Sequence, residues 1–152
     1  MTDAGPDFET VANAQLMNAE DLRLLASIAL MALARGHPGK ARAMIDVLHL
    51  VRPGSEIAAV TESFFLLGQR DIEPALRALD TTEQTMSIRT TRAIVLMAAG
   101  RVLEAFDLLS EFAGAPAGSD AAPAAELYGV LAEALSRNPG AVLSSNGAAI
   151  RS

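Results

Sequence analysis

The chain has 152 residues, a formal net charge of −6, no cysteine and no tryptophan. Its hydrophobic content is 51%, but only 4% of its residues are aromatic, and this composition favours closely packed helices over strands. The absence of cysteine excludes disulfides and thiolate metal sites, and the acidic balance argues against nucleic acid as a partner, because phosphate binding needs clustered Lys and Arg.

The N-terminal region predicts a disordered stretch over 1–6, followed by a short amphipathic helix over 7–17. Phe8, Val11 and Leu16 form the apolar side of that helix. The first residues contain no basic segment followed by an apolar one, so we expect no Sec-type export. No apolar run approaches the roughly 20 residues of a membrane span. We therefore expect a cytoplasmic protein.

Caps and glycines then predict six helices in three pairs. In each pair the first helix ends at a glycine, which is Gly36, Gly68 or Gly100, because glycine is the preferred residue just after a helix. The predicted helices cover about 19–35, 38–51, 56–67, 72–79, 86–99 and 102–112. The short connections predict antiparallel hairpins.

A seventh predicted helix closes the chain's helical part. It follows a low-complexity loop rich in Ala, Gly and Pro, opens at Asp120 or Ala122, and runs to about Arg137. A terminal helix that covers the last hairpin is what a stacked helical array requires. We expect 138–152 to be a flexible tail, and we expect 7–137 to form one domain.

An alanine that recurs after each glycine indicates a repeat. Ala41, Ala75 and Ala105 each open the second helix of a hairpin, and their separations are 34 and 30 residues. Helical hairpins that recur about every 34 residues are the signature of tetratricopeptide (TPR) repeats. The pattern therefore predicts an all-α, TPR-like α-α superhelix of about three helical hairpins, with an N-terminal helix and a C-terminal capping helix.

Two further repeat positions agree when each alanine is counted as position 20 of the roughly 34-residue unit. Position 8 needs a small residue so that two helices can approach, and position 24 needs an apolar core residue. Position 8 is Ala29, Ser63 and Ala93, and position 24 is Ile45, Leu79 and Leu109. The three hairpins therefore share one predicted packing register.

Charged residues replace apolar ones at two other positions of the repeat. The first hairpin has Leu25 and Ile28 there, whereas the later hairpins carry Glu62, Arg89 and Arg92. One interpretation is that these charges pair across the repeat boundary. The other is that one arginine meets a carboxylate of a partner. An exposed pair of this kind would contribute only about 0–1 kcal/mol.

The polar residues do not form a recognisable catalytic or metal-binding pattern. His37 and His49 are twelve residues apart and lack the spacing of metal ligands on one helix face. The Gly36–Lys40 stretch lacks the phosphate-loop pattern and its preceding strand. Glu20 and Asp21 stand at a helix start, where carboxylates usually interact with the helix dipole. We therefore predict no enzyme activity, no catalytic residue, no cofactor and no metal.

The candidate site is instead the inner groove of the hairpin stack. Positions 5, 9 and 12 of each first helix should face this groove. These positions are Ala26, Leu30, Leu33, Val60, Phe64, Leu67, Thr90, Ile94 and Met97. An apolar groove suits an amphipathic helix whose anchors recur at i, i+3, i+4 and i+7. The alternative is that the chain's own last helix or a second copy of the chain fills the groove.

Three stretches carry a resemblance to a known family. Leu48–Pro53 ends one hairpin, Phe64–Gly68 ends a first helix, and Ala75–Asp80 forms the following short helix. Together they resemble the small TPR-like proteins of bacterial type III secretion systems, which include needle-subunit chaperones and the Hrp-type family. The resemblance covers about 20–112.

This resemblance implies a function and a partner. In the needle-chaperone branch, the TPR-like protein holds the amphipathic C-terminal helix of the needle subunit, with a small helical co-chaperone, in a cytoplasmic complex. The groove residues other than Ala26 and Thr90 would then form the cradle and prevent premature polymerisation. The alternative function is a generic TPR interaction scaffold, or a homodimer, without a secretion role. The partner, the branch and the oligomeric state stay open at this point.

Overall fold

The computed structural model describes residues 17–80 and 83–137, and within them the protein is all-α. The all-α class predicted from composition is therefore confirmed. The helices in these ranges are α1 Ala19–Ala34, α2 Pro38–Val51, α3 Glu56–Gly68, α4 Ile72–Ala78, α5 Met86–Ala98, α6 Val102–Ser110 and α7 Ala122–Arg137. None of the described helices is long and apolar enough to cross a membrane. The predictions for 1–16 and for 138–152 lie outside the described residues.

The chain separates into two compact units, Met1–Thr82 and Glu83–Ser152, called unit 1 and unit 2 below. The described part of unit 1 contains α1 to α4, and that of unit 2 contains α5 to α7. The single domain over 7–137 and a superhelix through all three hairpins therefore stay predictions.

Side-chain caps fix the start of the first helix in each hairpin. The Asn18 side chain accepts from the main-chain N–H groups of Glu20 and Asp21, at 2.8 and 3.0 Å, and the Asp21 carboxylate accepts from the Asn18 N–H. This reciprocal arrangement is a capping box. The Ser55 and Thr85 hydroxyls cap α3 and α5 in the simpler way. The chain thus begins each of these helices at a defined residue.

A residue with left-handed backbone geometry joins the two helices of each hairpin. Gly36 has φ +77° and Gly100 has φ +76°, as the predicted glycine stops require. In the middle hairpin α3 continues through Gly68, and the left-handed residue is Arg70, with φ +64°. The predicted stop before Gly68 was one residue early, because the left-handed residue of this turn is Arg70, two residues after Gly68.

The predicted packing register agrees with the observed burial. The residues at positions 8, 20 and 24 all have a relative exposure of 0%: Ala29, Ala41 and Ile45, then Ser63, Ala75 and Leu79, then Ala93, Ala105 and Leu109. Small residues at the first two positions let the helices of a hairpin approach closely. In the middle hairpin the Ser63 hydroxyl also donates a 3.0 Å hydrogen bond to the Ala75 carbonyl.

Unit 1 consists of two hairpins that share a core. Helix α1 pairs with α2, α3 pairs with α4, and α3 packs on both α1 and α2. One core cluster contains Leu22 and Leu48, and the other contains Ile45 and Phe65. Both clusters draw residues from α1, α2 and α3, so this packing fixes the faces that α1 and α3 present to solvent.

Unit 2 consists of one hairpin and the last helix. Helix α5 pairs with α6, and α7 packs mainly on α6 and also on α5. The Phe106 and Tyr128 rings are stacked, with centroids 4.7 Å apart and an angle of 22° between their planes. Ala124 and Leu131 are the buried residues of α7. Within unit 2, α7 therefore covers the last hairpin, as predicted for a capping helix.

Candidate protein-binding site

An open pocket of about 740 Å³ lies on the surface of unit 1, beside the C-terminal halves of α1 and α3. Its lining residues come from these two helices, the turns that follow them and the start of α2: Leu30, Leu33, Ala34, Gly36, Pro38, Phe64, Gly68 and Gln69. The volume and the apolar lining are in the range typical of ligand sites. The pocket therefore presents mainly apolar surface to solvent.

Local sequence explains why the pocket forms. Leu30 and Leu33 are three residues apart on α1, and Phe64 and Gly68 are four residues apart on α3, so each pair shares a helix face. A Cβ atom added at Gly68 would lie 2.9 Å from Leu33 Cδ2. Because Gly68 has no side chain, Leu33 can lie directly against the end of α3. The glycine therefore shapes the floor of the pocket.

Phe64 and Phe65 are adjacent in the chain but have different environments. Phe65 is only 9% exposed and packs in the core with Ala29 and Ile45. The Arg42 guanidinium lies 5.5 Å from the centre of its ring. Phe64 is partly exposed and lines the pocket. Successive residues on a helix point about 100° apart, so one phenylalanine stabilises the core while the other reaches the surface.

Three of the six groove residues predicted on unit 1 line the pocket together. They are Leu30, Leu33 and Phe64. Val60 and Leu67 are partly exposed on α3 but are not part of the lining. These three residues therefore share one apolar surface, and their part in binding a partner stays a prediction.

Ala26 has a different position from the one expected. It is 8% exposed and belongs to the core cluster that also contains Leu22, Leu48 and Ala58. Here α1 packs against both α2 and α3, so this position lies inside the unit. Ala26 contributes to the core and does not offer its side chain to a partner.

The three groove residues predicted on unit 2 follow one side of α5. Thr90, Ile94 and Met97 are all partly exposed. The Thr90 hydroxyl donates a 2.8 Å hydrogen bond to the Met86 carbonyl, so its hydrogen is used inside the helix. Ile94 and Met97 retain accessible apolar surface, as the groove prediction requires. Their part in a binding site stays a prediction.

The turn residues of the pocket were missed at the sequence level. Gly36, Pro38, Gly68 and Gln69 line it, although the prediction considered only positions within the first helices. The sequence did contain a signal for them. In a stack of hairpins, the turn between α1 and α2 and the turn between α3 and α4 lie at the same end of unit 1. The turns beside Leu33 and Phe64 contain glycine or proline, and these small residues leave space between the ends of the two hairpins. Glycine and proline therefore indicate the rim of the site as well as the helix ends.

Glu62 and Arg89, two of the charged residues singled out in the sequence, have partners within their own units. Glu62 accepts from Arg42 at 3.1 Å and lies 2.5 Å from His49 Nε2, which links α3 to α2. Arg89 pairs with Glu111 in unit 2. Ion pairs inside each unit therefore explain why Glu62 and Arg89 are charged.

Comparisons with known proteins do not place the chain in a family. No protein-family model matches the sequence, and no curated protein or solved structure matches it significantly. The resemblance to type III secretion proteins therefore stays a prediction from the sequence. Within residues 17–80 and 83–137, no group of three or more His, Cys, Asp or Glu side chains could hold a metal ion.

Proposed function

We propose that this chain is a non-enzymatic binding protein that holds the apolar face of an amphipathic helix in the pocket of unit 1. The observation that supports this most directly is an open pocket of about 740 Å³ with Leu30, Leu33 and Phe64 in its lining. An amphipathic helix presents its anchors at i, i+3, i+4 and i+7, and a pocket between two helices suits such anchors.

The chemistry of the lining favours side-chain burial over catalysis. Its helical residues are apolar, and the one side-chain amide in the lining belongs to Gln69. Full burial of one Leu or Phe side chain of the partner would contribute about 1.5–3 kcal/mol. Binding would thus depend mainly on apolar contact, and polar contacts at the rim would decide which helix binds.

The proposed biological role is that of a type III secretion chaperone or adaptor. The bound helix would be the amphipathic helix of a secreted, needle-type subunit, and the complex would form in the cytoplasm, where a small helical co-chaperone could join it. Covering the apolar helix would prevent premature polymerisation of the subunit. The sequence resemblance over 20–112 supports this role, and an accessible apolar pocket within that range is compatible with it.

A second candidate is a homodimer or general scaffold, and exposed apolar residues on α1 favour it. Leu24, Ile28 and Met31 are 61%, 41% and 51% exposed and follow one side of the helix at i, i+4 and i+7. Val47 and Leu50 on α2 are also exposed. Grouped apolar residues on a surface often mark an interface. This surface differs from the pocket lining, so the two candidates can be tested separately.

The deciding experiment first identifies the bound helix and then compares its affinity for two variants, Phe64→Asp in the pocket and Val130→Asp away from it. The tagged full chain is purified from its native host, bound proteins are identified by mass spectrometry, and a synthetic peptide covering the captured helix is titrated against the chain. Phe64→Asp should abolish peptide binding while the far-UV circular dichroism stays helical. The control Val130→Asp changes a residue that is 63% exposed on α7 and should bind normally.

Two results would contradict the proposed function. One is a folded Phe64→Asp protein that binds the peptide as tightly as the wild type. The other is a stable dimer in sedimentation equilibrium that Leu24→Asp dissociates and Phe64→Asp does not, together with no captured helix. That second result would instead support the homodimer.

A further inference from the structure

The turns that close the pocket carry positive charge in a chain whose net charge is negative. Gly36 and Gln69 line the pocket and belong to the turns after α1 and α3. The exposed ionisable residues on these turns and at the start of α2 are Arg35, His37, Lys40, Arg70 and Asp71. With Glu73 in the first turn of α4, three permanent cations and two acids lie at this end of unit 1, so it carries a small positive excess although the whole chain has a charge of −6.

Arg35 and Arg70 follow the C-terminal ends of α1 and α3, where a cation also interacts favourably with the helix dipole. Among the described residues, the side chains of Arg35, Lys40 and Arg70 make no ion pair. Arg42 and Arg89, in contrast, are held by carboxylates, whereas Arg23, Arg52 and Arg77 also make no ion pair with a described residue. A charge that makes no ion pair with the described part of the chain, and that lies at the edge of an apolar pocket, is available to a bound molecule.

Arg70 also has an unfavourable backbone conformation. Its φ is +64°, and the equivalent residues of the other two hairpins are Gly36 and Gly100, with φ +77° and +76°. A residue with a Cβ is disfavoured in this region, whereas glycine is not. The described residues contain no ion pair that would offset the strain at Arg70. Strained residues that persist often belong to functional sites.

We infer that Arg70, on the turn after α3, and Arg35, on the turn after α1, recognise acidic side chains that follow the apolar anchors of the bound helix. The apolar anchors would occupy the space beside Leu33 and Phe64, and the carboxylates would meet the turns. The C-terminal end of a helix carries a partial negative charge, so this end would be favoured at the same rim. Recognition of acidic side chains presupposes the proposed function and adds the chemical class of the partner.

A displayed library of helical peptides tests this recognition. Leucine is fixed at i, i+3, i+4 and i+7, the remaining positions are randomised, and the full chain is used for selection at low salt. The enriched peptides should carry Asp or Glu toward the C-terminal end of the anchors. The best peptide should bind Arg70→Gly about two- to fivefold more weakly than wild type, as expected for an exposed ion pair. High salt should remove this difference.

Thermal unfolding gives a second readout that a purely structural arginine would not produce. Arg70→Gly should raise Tm by about 2–4 °C, because glycine relieves the left-handed strain. The matched control is Arg52→Ala, which removes an exposed arginine at the other end of α2 that makes no ion pair with any residue the structure describes. It should leave peptide affinity unchanged. Higher stability combined with weaker binding would show that the strain at Arg70 is kept for recognition.

The possible failures can be distinguished. Enrichment without acidic residues, equal affinity of Arg70→Gly and wild type, or an unchanged Tm would each overturn the role of Arg70 while the proposed function stands. If no peptide is enriched, or if folded Phe64→Asp binds the selected peptides as tightly as wild type, the proposed function itself is wrong.

Discussion

The Ser63 hydroxyl donates a 3.0 Å hydrogen bond to the main-chain carbonyl of Ala75, and neither residue is exposed to solvent. This bond connects α3 to α4 in the middle hairpin. At the end of α4 the Leu79 N–H donates to Leu76, one residue closer than in a regular α-helix. The serine therefore provides a partner for a carbonyl near the end of a short helix, where helices leave acceptors unpaired.

Replacing Ser63 should be costly although the side chain is small. Ser63→Ala leaves a buried carbonyl without this donor and should lower the free energy of unfolding by about 1–2 kcal/mol in urea titrations. Ser63→Leu should cost more, because the position has no room for a larger side chain. The control is Ser27→Ala, which removes an exposed hydroxyl on α1 that donates to the Arg23 carbonyl. Equal losses for Ser63→Ala and Ser27→Ala would contradict this role.

The adjacent phenylalanines should separate stability from binding. Phe65→Ala removes a core side chain and should cost about 3–5 kcal/mol, whereas Phe64→Ala should cost less than half as much because its ring is partly exposed in the pocket. Denaturant unfolding of the two variants measures the difference. A loss at Phe64 as large as that at Phe65 would place Phe64 in the core and remove the case for a binding pocket.

Two glycines should respond to alanine with opposite signs. A Cβ added at Gly129 or at Gly100 meets no atom within 4 Å, so neither substitution is prevented by packing. Gly129 lies inside α7, where alanine should raise stability by about 0.5–1 kcal/mol. Gly100 has φ +76°, where alanine should lower stability by about 1 kcal/mol. Shifts of Tm in the same direction for both variants would contradict this explanation.

The Arg42–Glu62 contact should contribute modestly to stability. Burial lowers the pKa of Arg42, but hydrogen bonds to Asp46 and Glu62 raise it by more, so the pKa lies above its ordinary value and the guanidinium stays charged. A double-mutant cycle with Arg42→Met and Glu62→Gln should give a coupling of about 0.5–1 kcal/mol, discounted because the Arg42 side chain is 37% exposed. The coupling should fall as salt is added.

An exposed pair on the last helix serves as the control for that cycle. Arg137 and Glu133 form an ion pair on α7 and are 76% and 61% exposed. Their coupling should be close to zero, since solvent screens the charges. A coupling at Arg137 and Glu133 as large as that at Arg42 and Glu62 would show that burial does not determine the strength of either pair.

Much of the hairpin register could be predicted from the sequence, because burial of small residues leaves a periodic trace. Ala29, Ser63 and Ala93 are fully buried where the helices of each hairpin meet, as expected for position 8 of a TPR-like unit. Caps made by Asn18 and Ser55 likewise fixed helix starts, since a side-chain oxygen at these positions pairs with specific main-chain N–H groups.

Other features depended on the path of the backbone and could not be predicted. Arg70 occupies the left-handed position of the middle hairpin although Gly68 is two residues away, because the end of α3 decides which residue makes the turn. Ala26 was expected in a groove, but contact of α1 with both α2 and α3 buries it. Glu62 finds Arg42 on the preceding helix, a pairing set by how two hairpins pack within unit 1.

The stacked rings of Phe106 and Tyr128 provide a built-in spectroscopic reporter. The protein has one tyrosine and no tryptophan, so ultraviolet emission comes almost entirely from Tyr128 in unit 2. Far-UV circular dichroism, in contrast, records helices of both units. During heating, superimposable melting profiles from the two signals would indicate that unit 1 and unit 2 lose their structure cooperatively, and displaced profiles would resolve two stages.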